Sequence, residues 1–391
     1  MMSGRTSNTV NGMAKKRKIR VGVIFGGKST EHEVSLLSAK NVIAALDKNK
    51  YEPVLIGIDK AGKWHRSAGA NYLLNSENPK LIALNKQGAK EVMLPTGGRE
   101  IVVRENGGVQ ALDVIFPVLH GPLGEDGTMQ GLLKLMDIPF VGPSVLGSAI
   151  GMDKDVQKRL LRDAGIPTAK FLTVRLPQRD EISFAEAKKQ LGLPLFVKPA
   201  NAGSSVGVSK VKKESDFKPA VDSAFKYDSK ILIEEGIDGR EIECAVLGNE
   251  DPIASVPGEI KPNHEFYSYE AKYIDENGAV AEIPAKLSKA TARKVQEIAL
   301  AAFKALECEG MSRVDMFVTG LSSPPFKGGE SKRGVGRVLV NEINTIPGFT
   351  TISMYPKLWE ASGISYPALI DRLIQLALSR AKRDERLKTN R

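Results

Sequence analysis

Residues 339–348, Leu-Val-Asn-Glu-Ile-Asn-Thr-Ile-Pro-Gly, limit what this chain can fold into more than any other stretch. The apolar, partly β-branched run reads as a strand. Side chains alternate between faces along a strand, so Glu342 and Asn344, at i and i+2, share one face. Thr345-Ile346-Pro347-Gly348 then ends the strand. A carboxylate beside an amide oxygen suits Mg²⁺, which takes one or two carboxylates and completes its shell with water and phosphate oxygens. Upstream, Met311 to Phe317 reads as a second strand with Arg313 and Asp315 on one face. If the two strands are neighbours, a cation and a third oxygen ligand face the first pair. Either segment alone reads equally well as an ordinary strand with a solvated polar face. Their coincidence with the loop at Lys198, below, favours a metal–nucleotide site.

Composition narrows the function classes. A chain of 391 residues suggests two or three α/β domains. Its net charge of +10 hints at nucleic acid, but the ends account for it. Arg5, Lys15, Lys16, Arg17, Lys18 and Arg20 stand without an acid in the first twenty residues. The last twelve residues carry four more positive charges than negative ones, so the body is formally neutral. No nucleic-acid partner is expected, because no aromatic interleaving accompanies the basic tails. No apolar run approaches the ~18 residues of a membrane span. The N-terminal basic residues lead into no apolar signal core. Cys244 and Cys308, far apart in the chain, fit a reducing cytoplasm, where the protein is expected to reside.

Along the chain, Ile19–Phe25, a helix from Glu31 to Leu46 and Pro53–Ile58 give a β-α-β opening. Residues 60–110 read as hairpins and loops with a strand at 101–103. A break at Gly142-Pro143 precedes a helix over 153–164. Strands and helices then alternate to Val211, and an antiparallel set follows from Ile231 to Ile260. Gly320 to Gly336 reads as an exposed loop insertion. The expected division is a basic tail over 1–18 and domains over 19–150, 151–245 and 246–391.

A second constellation is Lys198-Pro199-Ala200-Asn201-Ala202-Gly203-Ser204-Ser205-Val206-Gly207. A strand delivers a lysine into a loop of small residues whose backbone N–H groups can cradle phosphate. The Gly-Lys-Ser/Thr of a Walker loop is absent. At the other end of the chain, Gly26-Gly27 after the first strand lacks the dinucleotide glycine spacing. The helix start there can still receive a substrate anion, and Glu31 a substrate ammonium.

Taken in order, Gly26-Gly27…Glu31-His32-Glu33-Val34-Ser35, His120-Gly121…Gly124-Glu125-Asp126-Gly127, Met152-Asp153-Lys154, Lys198-Pro199…Gly203-Ser204-Ser205-Val206-Gly207, Tyr269-Glu270-Ala271-Lys272-Tyr273, Arg313-Val314-Asp315 and Asn341-Glu342-Ile343-Asn344-Thr345…Pro347-Gly348 closely resemble the D-alanine–D-alanine ligase family of the ATP-grasp superfamily. The resemblance runs from Ile19 to Arg380 and leaves out the tails and the insertion. It implies an α/β protein with an ATP-grasp fold in three domains. These are an N-terminal α/β parallel-sheet domain, a central α+β lid domain and a C-terminal α+β domain with an antiparallel sheet.

The resemblance also implies a reaction and its residues. ATP phosphorylates the carboxylate of one D-alanine, and the amine of a second attacks the acyl phosphate. Asp315, Glu342 and Asn344 are similar to ligands of two Mg²⁺ ions, which Mn²⁺ can replace. Lys154 and Lys198 resemble the family's phosphate lysines, with Ser205 beside them and Lys272 reaching the transferred group. Arg313 and the Gly348 backbone match the oxyanion stabilisers. Glu31, Ser204 and Tyr273 match the first-substrate network, and His120 a substrate-side histidine, with a strand-end cap at Gly121 as its less favoured reading. Ser353 and Met354 fall at the second substrate. Glu234, Ile237, Glu241 and Phe266 fall at the nucleotide. A D-alanine–D-lactate ligase is the nearest alternative, and the tyrosine at 273 speaks against it. A regulator that keeps the fold without catalysis is disfavoured, since the metal, oxyanion and phosphate residues are all present. The family further implies peptidoglycan precursor synthesis, small-molecule substrates and a homodimer.

Overall fold

Strand β1 (Ile19–Gly26) buries Val21, Val23, Ile24 and Phe25 completely, the pattern of a strand covered on both faces. The computed structural model describes residues 17–67, 71–262, 279–320 and 336–387. After β1, helix α1 (His32–Ala45) crosses to β2 (Tyr51–Ile58), which pairs with β1 in parallel. The chain continues through β3 (Trp64–Ser67), the small pair β4 (Leu73–Leu74) and β5 (Ala83–Leu84), β6 (Lys90–Met93), β7 (Glu100–Val103) and β8 (Val109–Ala111). It returns in β9 (Val114–Val118), parallel to β1. The seven-stranded order is β8-β7-β6-β3-β2-β1-β9. Only β2, β1 and β9 are mutually parallel, so the expected parallel sheet is a mixed one. The connections β2–β3, β6–β7 and β7–β8 are too short for the crossover that a parallel neighbour needs.

Three helices follow: α2 (Thr128–Leu135), α3 (Val145–Met152) and α4 (Lys154–Asp163). Helix α3 is absent from the sequence reading. It holds two glycines and no charge, so periodicity does not mark it. Its signal is Ser144, which caps the helix by accepting the Gly147 N–H.

A four-stranded antiparallel sheet comes next, built from β10 (Phe171–Arg175), β11 (Leu195–Pro199), β12 (Ser209–Val211) and β13 (Lys230–Glu235) in the order β10-β13-β11-β12. Helices α5 (Phe184–Leu191) and α6 (Glu214–Ala224) pack on it. The strand expected to begin at Val206 starts only at Ser209. Ser204, Ser205 and Gly207 hold φ of 50°, 61° and 72°, which keeps the chain turning.

The last sheet is antiparallel throughout. It comprises β14 (Arg240–Gly248), β15 (Ile253–Ala254), β16 (Gly258–Pro262), β17 (Ala279–Glu282), β18 (Gly310–Thr319) and β19 (Arg337–Asn344), with the path β17-β16-β14-β18-β19 and β15 beside β14. The boundary expected at 245/246 falls inside β14, and residues 236–239 link this sheet to the one before. Helix α7 (Lys289–Ala305) covers one face, and α8 (Met354–Ala361) and α9 (Tyr366–Asp384) close the chain. One apolar core runs from Phe25, Phe116 and Val118 through Phe349 to Tyr355, Trp359, Leu369 and Leu373. It seats the segment after β19 against the N-terminal sheet, with the Phe116 and Phe349 rings edge-to-face at 5.8 Å. Residues 263–278 lie outside the described residues, as does the insertion over 321–335.

Candidate active site

Strands β18 and β19 are neighbours, with Arg313 opposite Asn344 and Asp315 opposite Glu342. Cross-strand partners share a face, so all four side chains meet on one surface. The register slips just after Asp315, leaving Asn341 as the extra residue on β19. On the other side of β18, Glu243 of β14 lies opposite Asp315 and extends the row to three carboxylates. Arg313 grips Asp315 with both branches, Nε and Nη2 each 2.7 Å from a carboxylate oxygen, and Nε is 3.0 Å from Glu243. Asn344 Nδ2 donates to Asp315 Oδ2 at 2.9 Å. Glu243 escaped the sequence reading, although Glu241 and Glu243 repeat the i, i+2 signal used for Glu342 and Asn344.

The donor set fits Mg²⁺ or Mn²⁺: two carboxylates and an amide, all hard oxygens on adjacent rigid strands. Among the described residues no three His, Cys, Asp or Glu side chains converge as a self-sufficient cage. That suits an ion that draws much of its shell from water and a phosphorylated substrate.

A lysine-bearing wall is assembled from α4 and the small-residue loop. Asp153 caps α4 by accepting two of its first N–H groups, and Lys154 at the first helical position turns back. Its backbone N–H donates to Ala200 O at 3.0 Å and its Nζ to Ala202 O at 2.8 Å. The same Nζ is 3.3 Å from Glu342 Oε2. One turn on, Lys158 is fully buried, with Nζ 3.0 Å from Thr168 Oγ1 and 3.4 Å from Glu234 Oε2. Lys198 Nζ lies 3.0 Å from Glu234 Oε1. Burial lowers Lys158 to about 8. Burial opposes charge on Glu234 too, but the two ammonium groups hold its carboxyl below the usual range. Glu234 is thus held by two lysines, one of which was not anticipated. Lys158 follows Lys154 by four residues on the same helix face.

The N-terminal wall carries Glu31, 5% exposed at the start of α1. Its carboxylate accepts from Ser204 Oγ in the strained loop. A Cβ at Gly203 would come within 3.0 Å of Glu31 Oε2, and one at Gly121 within 2.6 Å, so both glycines are needed for this approach. His120 follows the end of β9 by two residues, with both ring nitrogens engaged. Nδ1 is 3.1 Å from Ile346 O, a pure acceptor, so Nδ1 carries the proton and Nε2 accepts from Ser38 Oγ at 3.2 Å. Burial lowers its pKa to about 4, so the ring is neutral. Of the two roles read for His120, the geometry displays a tie between β9 and the segment after β19. At the far wall Ser353 Oγ accepts from Thr350 N at 3.0 Å, and a Cβ at Gly348 would strike that hydroxyl at 2.7 Å.

Two adjoining cavities result. One of about 160 Å³ gathers Glu31, His120, Ser204, Arg313, Asp315, Asn344, Gly348, Ser353 and Met354. The other, of about 310 Å³, gathers Lys198, Ser205, Glu234 and Ile237. Lys154, Ser204, Glu241 and Glu342 line both and form their common wall. Phe266, Lys272 and Tyr273 lie outside the described residues.

The site can be set beside known proteins. Residues 20–143 match the family model of the D-ala D-ala ligase N-terminus, and residues 160–375 that of the C-terminus. A D-alanine–D-alanine ligase of Oceanobacillus iheyensis is 55% identical over 376 residues, 96% of this chain and 99% of the relative. D-alanine–D-alanine ligase A of Escherichia coli (strain K12) is 53% identical over 374 residues, 95% and 99% of the two chains. The solved D-alanine–D-alanine ligase of Coxiella burnetii superposes with a TM-score of 0.79 at 39% identity, covering 95% of this chain and 97% of that one. VanG D-Ala:D-Ser ligase of Enterococcus faecalis gives 0.78 at 35%, covering 92% and 100%. With both halves matched and the strands, loop and metal-type row in the order its motifs require, the chain belongs to the D-alanine–D-alanine ligase family, on an ATP-grasp fold.

Proposed function

We infer that this protein is an ATP-dependent ligase that joins two D-alanine molecules into D-alanyl-D-alanine, supplying peptidoglycan precursors. The observation that carries the reading is the common wall of the two cavities, where Lys154 meets Glu342. ATP in the larger cavity directs its γ-phosphoryl group across that wall to a carboxylate oxygen of the first D-alanine. The P–O bond to ADP breaks as the acyl phosphate forms. The amine of the second D-alanine then attacks the carbonyl carbon, and the tetrahedral intermediate expels inorganic phosphate as the amide bond closes.

Each wall has a task in this sequence. Glu31 binds the ammonium of the first D-alanine, with Ser204 orienting its carboxylate. Lys154 and Lys198 offer positive charge to the phosphates, with Ser205 on the loop between β11 and β12, and Ile237 and Glu241 border the nucleoside. Arg313 and the Gly348 amide face the carbonyl oxygen as it gains charge, the kind of preorganised stabilisation that dominates such reactions. Ser353 and Met354 border the second D-alanine. Asp315, Glu342 and Asn344 would hold Mg²⁺ or Mn²⁺, which neutralises charge on the phosphates when bound. Phe266, Lys272 and Tyr273 join the site in this proposal through the family resemblance alone. We also propose a cytoplasmic homodimer. Among the described residues no helix is long and apolar enough to cross a membrane.

The test is product analysis with Mg²⁺, ATP and D-alanine alone, then with D-lactate or D-serine added. D-alanyl-D-alanine with one phosphate released per bond is the expected result. A predominance of the ester or of the serine dipeptide would overturn the acceptor assignment.

A further inference from the structure

Gly348 carries the amide assigned above to the oxyanion, and the peptides on either side of it are held by side chains of the N-terminal unit. Ile346 O accepts from His120 Nδ1 at 3.1 Å. The carboxyl of Glu125 accepts the N–H of Gly121, the residue after His120, at 2.8 Å and faces the Ile346 backbone. Phe349 N–H donates to Ser38 Oγ at 3.2 Å, and Phe349 O accepts from Asn41 Nδ2 at 3.1 Å. Ile346 and Phe349 are both buried, so these polar atoms depend on protein partners.

We propose that Glu125 is a positioning residue of the ligation reaction, which with His120 clamps the Ile346 peptide and so aims the Gly348 amide at the reacting carbonyl. The proposal rests on the ligase reading. Glu125 lines the smaller cavity without being assigned to any substrate. Burial and the Glu31 carboxylate both push its carboxyl up, against the Gly121 and Ile346 backbone and Lys154, which pull it down. A neutral carboxyl has the shape of an amide and can accept the same N–H bond. The clamp therefore needs an acceptor oxygen at this position and no negative charge. Losing the clamp leaves a buried N–H unpaired and frees the segment to turn, while the nucleotide cavity, on the far side of the common wall, is unaffected.

Dipeptide formation and ADP release are measured for the wild type, Glu125→Ala and Glu125→Gln, with thermal unfolding of each. Glu125→Ala is expected to lower kcat by about 10²–10³-fold, the cost of a lost oxyanion donor, with KM for ATP within about twofold. Glu125→Gln is expected to recover most of that loss. If glutamine is as damaging as alanine, Glu125 moves a proton and the clamp is wrong. If kcat of Glu125→Ala is that of the wild type, the segment is not held from this side. Should Glu125→Ala fail to fold, Ser38→Ala loosens the other end. It should lower kcat roughly three- to tenfold, the worth of one hydrogen bond, at unchanged KM for ATP, and an unaltered kcat there also overturns the clamp. A wild type that forms no dipeptide would instead overturn the ligase reading, whatever the variants do.

Discussion

Lys154 Nζ lies 3.3 Å from Glu342 Oε2, which ties the first turn of α4 to the metal-type strand β19. Neither group is far from a cavity, and each neutralises the other before substrate enters. In the proposed reaction Lys154 would serve the phosphates and Glu342 a divalent ion, so the loss of either would leave the other's charge uncompensated. Lys154→Met should lower kcat/KM for ATP roughly 10- to 100-fold, the worth of a charge-assisted hydrogen bond. Combined with Glu342→Gln, the losses should be far from additive, as for groups in contact. Steady-state kinetics of the two single variants and the double variant would reveal independent roles if the logarithms of the losses simply summed.

Asp315 sits in the middle of the carboxylate row, held by Arg313 and Asn344. Asp315→Asn keeps the shape and removes the charge that a hard divalent ion needs. Chelation by EDTA should abolish turnover of the wild type, and added Mg²⁺ or Mn²⁺ should restore it. In the variant, half-saturation should need on the order of tenfold more Mg²⁺ or beyond, given what weaker ligation typically costs. A Mg²⁺ titration giving the same midpoint for both proteins would remove Asp315 from the ligand set.

His120 makes stability depend on pH in a definite direction. An exposed histidine titrates near 6.5, whereas burial lowers the folded value to about 4. Above pH 6.5 the ring is neutral in both states and contributes no pH dependence. Between 6.5 and 4 the unfolded chain binds a proton that the folded one refuses, so stability falls as pH falls. The loss approaches about 3 kcal/mol at the lower end. His120→Asn should flatten the difference between urea midpoints at pH 7 and pH 4.5. Parallel acid limbs for the two proteins would assign the lost stability to other groups.

How much of this could be read beforehand depended on the range of the interaction. The Glu342–Asn344 face, the Lys198 loop and the opening β-α-β unit follow from spacing within one element, and spacing is visible in a sequence. That β18 and β19 would lie side by side was only a condition until the register placed Asp315 opposite Glu342. Glu125 and Lys158 went unassigned for a different reason. Their roles arise from partners at positions 346 and 234, on other elements, and no local pattern encodes such pairing. Within the hairpins read over 60–110 only the strand at 101–103 was delimited, because strands of three or four residues in a loop-like composition carry little periodicity.

Ser204 and Ser205 hold left-handed backbone angles that cost side-chain-bearing residues about 1–2 kcal/mol each. Such strain persists where neighbours fix it, here in the loop between the two cavities. At Ser205 the hydroxyl and the backbone can be separated. Glycine removes the hydroxyl but favours the turn, whereas alanine removes the hydroxyl and keeps the strain. If backbone N–H groups do the phosphate binding, Ser205→Gly should keep KM for ATP within about threefold, a fraction of one hydrogen bond. Equal, large increases in KM for both variants would give the work to the hydroxyl.

The segment over 321–335 joins strands that are already paired where it leaves them, with Thr319 opposite Arg337 and Val318 opposite Val338. A hairpin closed at that point needs only a few residues to connect its ends. The site residues Arg313, Asp315, Glu342 and Asn344 sit toward the opposite end of the same ladder. Several hydrogen-bonded pairs therefore separate the insertion from the chemistry. Shortening a loop of this size changes its closure entropy by about 1 kcal/mol, in favour of the folded state. Replacing 321–335 with a short Asn-Gly-containing turn should leave kcat and both KM values within about twofold of wild type, while stability rises slightly or holds. A folded replacement that lost most of its activity would mean that the insertion reaches the site in the course of the reaction.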